Sequence, residues 1–174
     1  MAALFSKISV AFGVVLIGVA VYAHWPHDPL PEGVQADRVE VYKSKGQMVL
    51  FREGKELRRY DVALGRTAGR KDRALDGKTP EGQYTIDSRY GEGSNYYSSL
   101  HLTYPNEEDL ATAKALGVDP GGGISIHGVR NDLWFVGRLQ KLVNWTRGCV
   151  AVSNQEMAEL WRVLPDHIPV NIYP

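Results

Sequence analysis

Apolar and polar positions alternate over most of the chain after residue 37, and this period of two is typical of half-buried β-strands. Glycine-bearing turns separate the first three of these runs, which predicts an antiparallel meander. Strands are predicted for RVEVYK (38 to 43), QMVLFRE (47 to 53), KELRRYDVAL (55 to 64), QYTIDSRY (83 to 90), YYSSLHLTY (96 to 104) and IPVNIY (168 to 173), with short strands at ISI before His127 and VAV after Cys149.

Helical patterns fall between the late strands. NEEDLATAKALG, at 106 to 117, begins with the N-cap residue Asn106 and ends at a glycine. QEMAELWRVL follows a capping box formed by Ser153 and Glu156, and residues 131 to 144 are a helix or a helical loop. The elements together predict a mostly β or α+β domain, with a sandwich-like or barrel-like sheet and two or three helices.

An apolar segment precedes this domain. Its uncharged run from Ile8 to Ala23 has 16 residues, slightly short of the roughly 20 that cross a bilayer. Residues 1 to 23 are therefore predicted to be a hydrophobic helix, serving as a signal peptide or a retained membrane anchor, with a buried helix of the domain as the alternative. Residues 24 to 36 are rich in proline and predict a spacer, which leaves 37 to 174 as the domain.

Charge and composition exclude some classes of function. Lys and Arg number 20 together, as do Asp and Glu, so the formal net charge is zero. This balance gives no electrostatic argument for a nucleic-acid partner. The histidines lack the spacing of metal ligands and there is one cysteine, so nothing indicates a metal or a cofactor.

Cys149 is the single cysteine of the chain, and it lies between Gly148 and an apolar strand. Because it has no partner for an internal disulfide, a free thiol outside the cytoplasm suggests a chemical use. Gly148 allows neighbouring backbone N–H groups to converge beside the thiol, as an oxyanion hole requires. The alternative is a small hydrophobic residue packed in the core.

His127 is the candidate base for this thiol. It ends the strand ISI and precedes a glycine, so its setting resembles that of Cys149. A thiol of ordinary pKa is only slightly ionised at neutral pH, and we expect the imidazole to keep Cys149 ionised. His101 alternates with leucines in a strand, so its ring faces either solvent or the site.

ISIHG followed by WTRGCVAVSN resembles the signature of the L,D-transpeptidase catalytic domain, the YkuD-like ErfK/YbiS/YcfS/YnhG group. That signature has His-Gly, a gap, and then Ser or Thr, any residue, Gly-Cys and an apolar residue. DGKTPEGQY, SLHLTYPNEED and IPVNIY are similar to further segments of the family, so the resemblance covers residues 37 to 174. Arg147 stands where the family usually has histidine, and Ala151 where Arg or Asn is frequent.

The resemblance implies a peptidoglycan L,D-transpeptidase, which is a cysteine-dependent acyltransferase of the cell wall. His127 would take the proton of Cys149, and the thiolate would attack the carbonyl before the terminal D-alanine of a tetrapeptide stem. D-Alanine would leave, and an amine would release the thioester. Backbone amides near Gly148 and Cys149 would hold the oxyanion, while Thr146 would orient the loop or bond to the imidazole.

The implied partners are peptidoglycan stem peptides in the periplasm, reached from an inner-membrane anchor at residues 1 to 23 or after its cleavage. The acceptor stays open between a stem peptide, a D-amino acid, a lipoprotein and water. Water would make the protein a carboxypeptidase or a cross-link hydrolase, and a non-catalytic wall-binding module is the remaining alternative. The candidate substrate-binding residues are Arg147 and Arg130 for carboxylates, His101, and an aromatic rim of Trp145, Tyr96, Tyr97 and Trp134.

Overall fold

The computed structural model describes residues 2 to 25, 28 to 91 and 93 to 174. Met1 of the predicted N-terminal segment, and Pro26 and His27 of the predicted spacer, lie outside these ranges. The elements are helices α1 (Ala2–Ala23), α2 (Glu107–Leu116) and α3 (Asn154–Val163), strands β1 (Arg38–Tyr42), β2 (Gln47–Arg52), β3 (Lys55–Asp61), β4 (Gly82–Tyr90), β5 (Ser99–Leu102), β6 (Ser125–His127), β7 (Val150–Ala151) and β8 (Pro169–Tyr173), and 3₁₀ segments at Lys43–Lys45 and Asn131–Leu142.

The strands form one mixed sheet in the order β3-β2-β1-β8-β4-β5-β6-β7. Strands β1 to β3 are the predicted antiparallel meander, whereas β1 pairs with β8, and β6 with β7, in parallel. The sheet curls so far that Ala63, just after β3, forms an antiparallel bridge with Ala151 of β7. The prediction of an α+β domain with a sandwich-like or barrel-like sheet is therefore confirmed, since the mixed sheet curls into a half-barrel.

The core lies on the concave side of this sheet. Val39 and Val41 of β1 are fully buried, as the alternating pattern requires, and Met157 and Leu160 of α3 pack into the same cluster. Helix α3 begins at the predicted capping box, in which the Ser153 side chain accepts from the backbone of Glu156. Helix α3 follows β7 after two residues, and Cys149 directly precedes β7.

The predicted hydrophobic N-terminal helix is present as α1. Its last turn contacts the Asn131–Leu142 segment, where a Cβ on Gly137 would lie 2.1 Å from the carbonyl oxygen of Ala23. His24 also bonds to the carbonyl of Phe135 at 3.0 Å. Among the residues that the structure describes, no helix combines the length and the apolar character needed to cross a membrane.

Two predicted segments differ from the structure. The strand predicted from residue 96 begins only at Ser99, because Tyr96 instead forms an isolated bridge with Arg130. The polar, charged stretch at 65 to 82 predicts a long surface loop. Residues 65 to 81 do form a loop between β3 and β4, but it is only partly exposed. Lys71 within it is 4% exposed and lines the cavity that contains Cys149.

Candidate active site

The parallel pairing of β6 and β7 brings the two candidate catalytic residues together. Ile126 pairs with Val150 and His127 with Ala151, so Cys149 lies beside Ser125, two residues before His127. Alternate residues of a strand share one face, and both side chains therefore point to the same side of the sheet. Cys149 and His127 line one cavity of about 1010 Å³, although 22 positions separate them in sequence.

The His127 ring is fixed by its surroundings. Its Nδ1 atom lies 2.7 Å from the Gly128 carbonyl oxygen, and the side chain is 1% exposed. The Tyr96 ring stacks on it with 3.9 Å between centroids, and Trp145 presents an edge at 5.8 Å. Because a carbonyl can only accept, Nδ1 carries the hydrogen, and Nε2 holds a lone pair with no partner among the described residues.

Burial acts on both groups of the pair. It lowers the pKa of His127 to about 4, against a smaller opposing effect of the bond to Gly128. It also raises the pKa of the Cys149 thiol, while the Ser125 backbone and the charge of Lys71 pull that pKa down. Both pKa shifts oppose the expectation that His127 keeps the thiol ionised at rest. At neutral pH both groups are uncharged, and the proton has to move as the sulfur attacks.

The thiol itself lies at the cavity wall. Its Sγ atom is 3.6 Å from the carbonyl oxygen of Gly123, and the side chain is partly buried. Gly123 belongs to the glycine run 121 to 123, and all three of these glycines line the cavity with Cys149. The sulfur is thus held beside bare backbone instead of under bulky side chains, which leaves space for a substrate carbonyl.

Gly148 and Thr146 shape the turn before the nucleophile. Gly148 has a φ of 134°, and a Cβ there would lie 2.6 Å from the Lys78 carbonyl oxygen. Its N–H donates to Thr146 Oγ1 at 3.1 Å, and the same hydroxyl donates to the Cys149 carbonyl at 2.8 Å. Thr146 therefore orients the loop. An oxyanion role for the Gly148 amide would require this bond to be exchanged.

Cationic side chains surround the cavity. Arg147 lines it without a carboxylate partner in the described part of the chain, whereas Arg130 is held by Asp132 through Nε at 3.1 Å and Nη2 at 2.8 Å. Arg66 and Lys71 also line it. The sequence reading missed these two residues, although the unusual length of their loop was a signal of function.

Lys71 is the most deeply buried cation of the site. Its Nζ lies 2.9 Å from Asp76 Oδ1 and donates to the Arg73 carbonyl at 2.7 Å. It also lies 5.8 Å from the centre of the Tyr104 ring. A buried lysine fixed in this way supplies a stationary positive charge near the thiol instead of a mobile ligand for substrate.

The aromatic candidates separate into two groups. Trp145 and Tyr96 line the Cys149 cavity, and the Trp145 Nε1 atom is buried without a partner among the described residues. Trp134 is 64% exposed, lies near His24 and does not line the cavity. His101 does not line the cavity either: it lies opposite Ser125 on the neighbouring strand, and its Nδ1 bonds to Asp87 at 2.7 Å.

Comparison with known proteins gives a family match. Residues 36 to 172 match the family described as YkuD, L,D-transpeptidase catalytic domain. No curated protein matches the chain. The matched range contains both candidate catalytic residues and the whole described sheet except Tyr173, the last residue of β8.

Similar solved structures include the helical cell shape determining protein Pgp2 from Campylobacter jejuni, with 26% identity and a TM-score of 0.61 over 88% of this chain and 53% of that one. Bdellovibrio bacteriovorus Bd1075 has 24% identity and a TM-score of 0.58, over 83% and 50%. An L,D-transpeptidase from Xylanimonas cellulosilytica has 20% identity and a TM-score of 0.55, over 84% and 65%. The chain thus spans about half to two thirds of the length of these structures.

Proposed function

The chain belongs to the YkuD family of L,D-transpeptidase catalytic domains, and on that premise we propose that it is a peptidoglycan L,D-transpeptidase with Cys149 as nucleophile and His127 as base. One observation supports the proposal most strongly: the two side chains lie on the same face of paired parallel strands and line one cavity, and His127 Nε2 has no partner among the described residues. This is the arrangement that an activated cysteine needs.

The acylation step follows from the protonation states. The Nε2 lone pair of His127 accepts the Sγ proton as the sulfur bonds to the carbonyl carbon that precedes D-alanine in a tetrapeptide stem. The tetrahedral intermediate collapses with cleavage of the C–N bond, and His127 returns the proton to the departing D-alanine amine. The product is a thioester at Cys149 and a neutral imidazole.

Deacylation reverses the roles. An amine of a second stem attacks the thioester carbonyl, and His127 Nε2 accepts one of its protons. The C–S bond then breaks and the proton returns to Sγ, which regenerates the thiol. A neutral base is present for both steps, because burial holds the pKa of His127 near 4, well below neutral pH.

The charge of the cavity supports an anionic acyl donor. Stem peptides carry several carboxylates, and Arg147 and Arg66 line the cavity with no carboxylate partner in the described ranges. Guanidinium groups bind carboxylates with two parallel hydrogen bonds. We assign Arg147, next to the nucleophile turn, as the main anchor, and Arg66 as a second one.

The process served is cell-wall organisation and cell shape, as the likeness to a helical cell shape determining protein supports. Peptidoglycan lies outside the cytoplasm, so we place the domain in the periplasm, either released after cleavage of its N-terminal segment or attached through it. The acceptor is a stem-peptide amine in this proposal, with a lipoprotein or a D-amino acid as other amine sources.

The test uses the full chain in a non-ionic detergent with purified disaccharide tetrapeptide, and products are read by liquid chromatography and mass spectrometry. We expect cross-linked dimers together with released D-alanine. Release of D-alanine without dimers would contradict the transfer proposal and would indicate carboxypeptidase activity at the same site. Absence of products, together with no carbapenem adduct at Cys149, would overturn the enzyme proposal in favour of a wall-binding module.

Matched variants link that activity to the site. Cys149→Ala should remove both the products and the adduct, with little change in melting temperature because the sulfur lies at the cavity wall. His127→Gln should likewise abolish product formation. His101→Gln is the control, because it removes a histidine from the same sheet but outside the cavity.

A further inference from the structure

A second cavity, of about 490 Å³, lies between β3, the Asn131–Leu142 segment and the end of α1. It shares no lining residue with the cavity of Cys149. Tyr22 of α1 contributes to its wall, and the apolar side chains that precede Tyr22 on the helix, such as Ile17 and Val21, are exposed. The cavity therefore opens beside an apolar helix surface.

Cations outnumber carboxylates in the wall of this cavity. The cations are Lys45, Arg58, Arg59, Arg138 and Lys141, and the carboxylates are Asp61 and Glu156. Two of the cations are neutralised, because Lys141 pairs with Glu156 at 2.8 Å and Arg59 pairs with Glu56 at 2.6 Å. The other three have no carboxylate partner within the described ranges, so the cavity presents an excess of positive charge.

Arg138 shows that this charge is poorly satisfied by the protein alone. Its Nε atom is buried and has no hydrogen-bond partner among the described residues. A buried donor without a partner is costly, and a charged donor more so, which favours an anion that accepts from it. Arg58 lies on the neighbouring strand and lines the same cavity. Two guanidinium groups on different elements can therefore approach one ligand from two sides.

We propose that this cavity binds a phosphate group. Arginine forks match the oxygen spacing of phosphate and bind it with paired, charge-assisted hydrogen bonds. The position next to exposed apolar side chains of α1 suits the headgroup of a phospholipid, whose acyl chains would lie along the helix. Inorganic phosphate offers the same oxygens without the acyl chains, so the two sources can be separated by experiment.

The test is isothermal titration of the full chain in a non-ionic, phosphate-free detergent at low ionic strength. The probes are inorganic phosphate and the short-chain lipid dihexanoyl phosphatidylglycerol. We expect saturable binding of the lipid and competition by inorganic phosphate. Binding of inorganic phosphate with no gain from the lipid would assign the cavity to free phosphate. No binding of either probe would overturn the proposal.

Two variants locate the binding. Arg58→Gln and Arg138→Gln should each weaken binding about tenfold, whereas Arg52→Gln, which removes an exposed arginine of β2 outside the cavity, should leave it unchanged. Equal affinity of all three variants would contradict the proposed site. Melting curves check that each variant is folded. If Arg138→Gln unfolds, the affinity of Arg58→Gln alone tests whether the phosphate binds in this cavity. Carbapenem labelling of Cys149 should be unaffected, because the cavities are separate.

Discussion

The Nδ1 atom of His127 lies 2.7 Å from the carbonyl oxygen of Gly128, the next residue in the chain. This bond fixes which nitrogen carries the hydrogen, and it leaves Nε2 as the position that can accept a proton. Tyr96 stacks on the ring, so the imidazole cannot easily turn its other nitrogen toward the cavity. The orientation of the base is thus fixed by a backbone carbonyl and by packing, and within the described ranges no carboxylate bonds to the ring.

The first prediction concerns thiol ionisation. Because burial raises the pKa of Cys149, the rate of its alkylation by iodoacetamide should keep rising above pH 9 in the folded protein. The urea-unfolded chain provides the reference, since its thiol has an ordinary pKa and should reach its plateau at lower pH. Quenched-flow alkylation with intact-mass detection measures both. A folded-state plateau near neutral pH would show a resting ion pair and contradict this expectation.

The second prediction concerns the pH dependence of stability. The pKa of His127 is about 4 in the folded protein against 6.5 when unfolded, so the unfolded chain binds more protons between these values. Stability linked to this group is therefore complete above pH 6.5 and falls as the pH drops toward 4. When the pH is low enough for the full pKa shift to act, the free energy of unfolding is lower by about 3 kcal/mol.

The variant His127→Gln isolates this effect, because it retains all carboxylates that also titrate in acid. Urea unfolding of both proteins at pH 7, 5.5 and 4.5 gives the difference in free energy of unfolding. We expect the wild type to lose more stability than the variant across this range. Parallel losses in the two proteins would mean that the buried ring is not held neutral.

The sequence alone located most of the strands and indicated that His127 and Cys149 lie close together. Alternation located β1 to β4, and the glycines after His127 and before Cys149 marked two strand ends. The protonation states of His127 and Cys149 could not be predicted from the sequence, because they depend on burial by residues such as Tyr96 that are distant along the chain. The local pattern predicts a strand from its period of two, but it does not predict which distant residues bury the side chains at the end of that strand.

The substrate side was less predictable for a related reason. Lys71 and Arg66 belong to a polar loop whose composition indicates a solvated surface, yet contacts with Asp76 and with the Tyr104 ring bury Lys71 in the cavity wall. His101 fitted the alternating pattern of its strand, but its ring bonds to Asp87 and does not line the cavity. In both cases the position of the side chain depends on contacts that the local hydrophobic pattern does not encode.

The third prediction concerns the turn before the nucleophile. Gly148→Ala places a Cβ 2.6 Å from the Lys78 carbonyl oxygen on a backbone with φ of 134°, so strain and overlap act together. We expect a loss of about 2 kcal/mol in the free energy of unfolding and a large fall in carbapenem acylation. Gly91→Ala is the matched control, since Gly91 does not line the cavity and a Cβ there would meet only a Trp161 ring atom at 4.0 Å. Wild-type behaviour of Gly148→Ala would show that the turn tolerates a side chain.

The last prediction separates the two arginines that the sequence proposed as carboxylate anchors. Arg130 already donates hydrogen bonds from Nε and Nη2 to Asp132, whereas Arg147 has no carboxylate partner among the described residues. A charge-assisted contact contributes roughly 1.5 kcal/mol, or about tenfold in affinity. We therefore expect Arg147→Gln to raise KM for the tetrapeptide about tenfold with kcat little changed, and Arg130→Gln to raise it much less. Equal effects would show that Arg130 leaves Asp132 to bind substrate, and a fall in kcat alone would show that Arg147 acts on the chemical step instead of on binding.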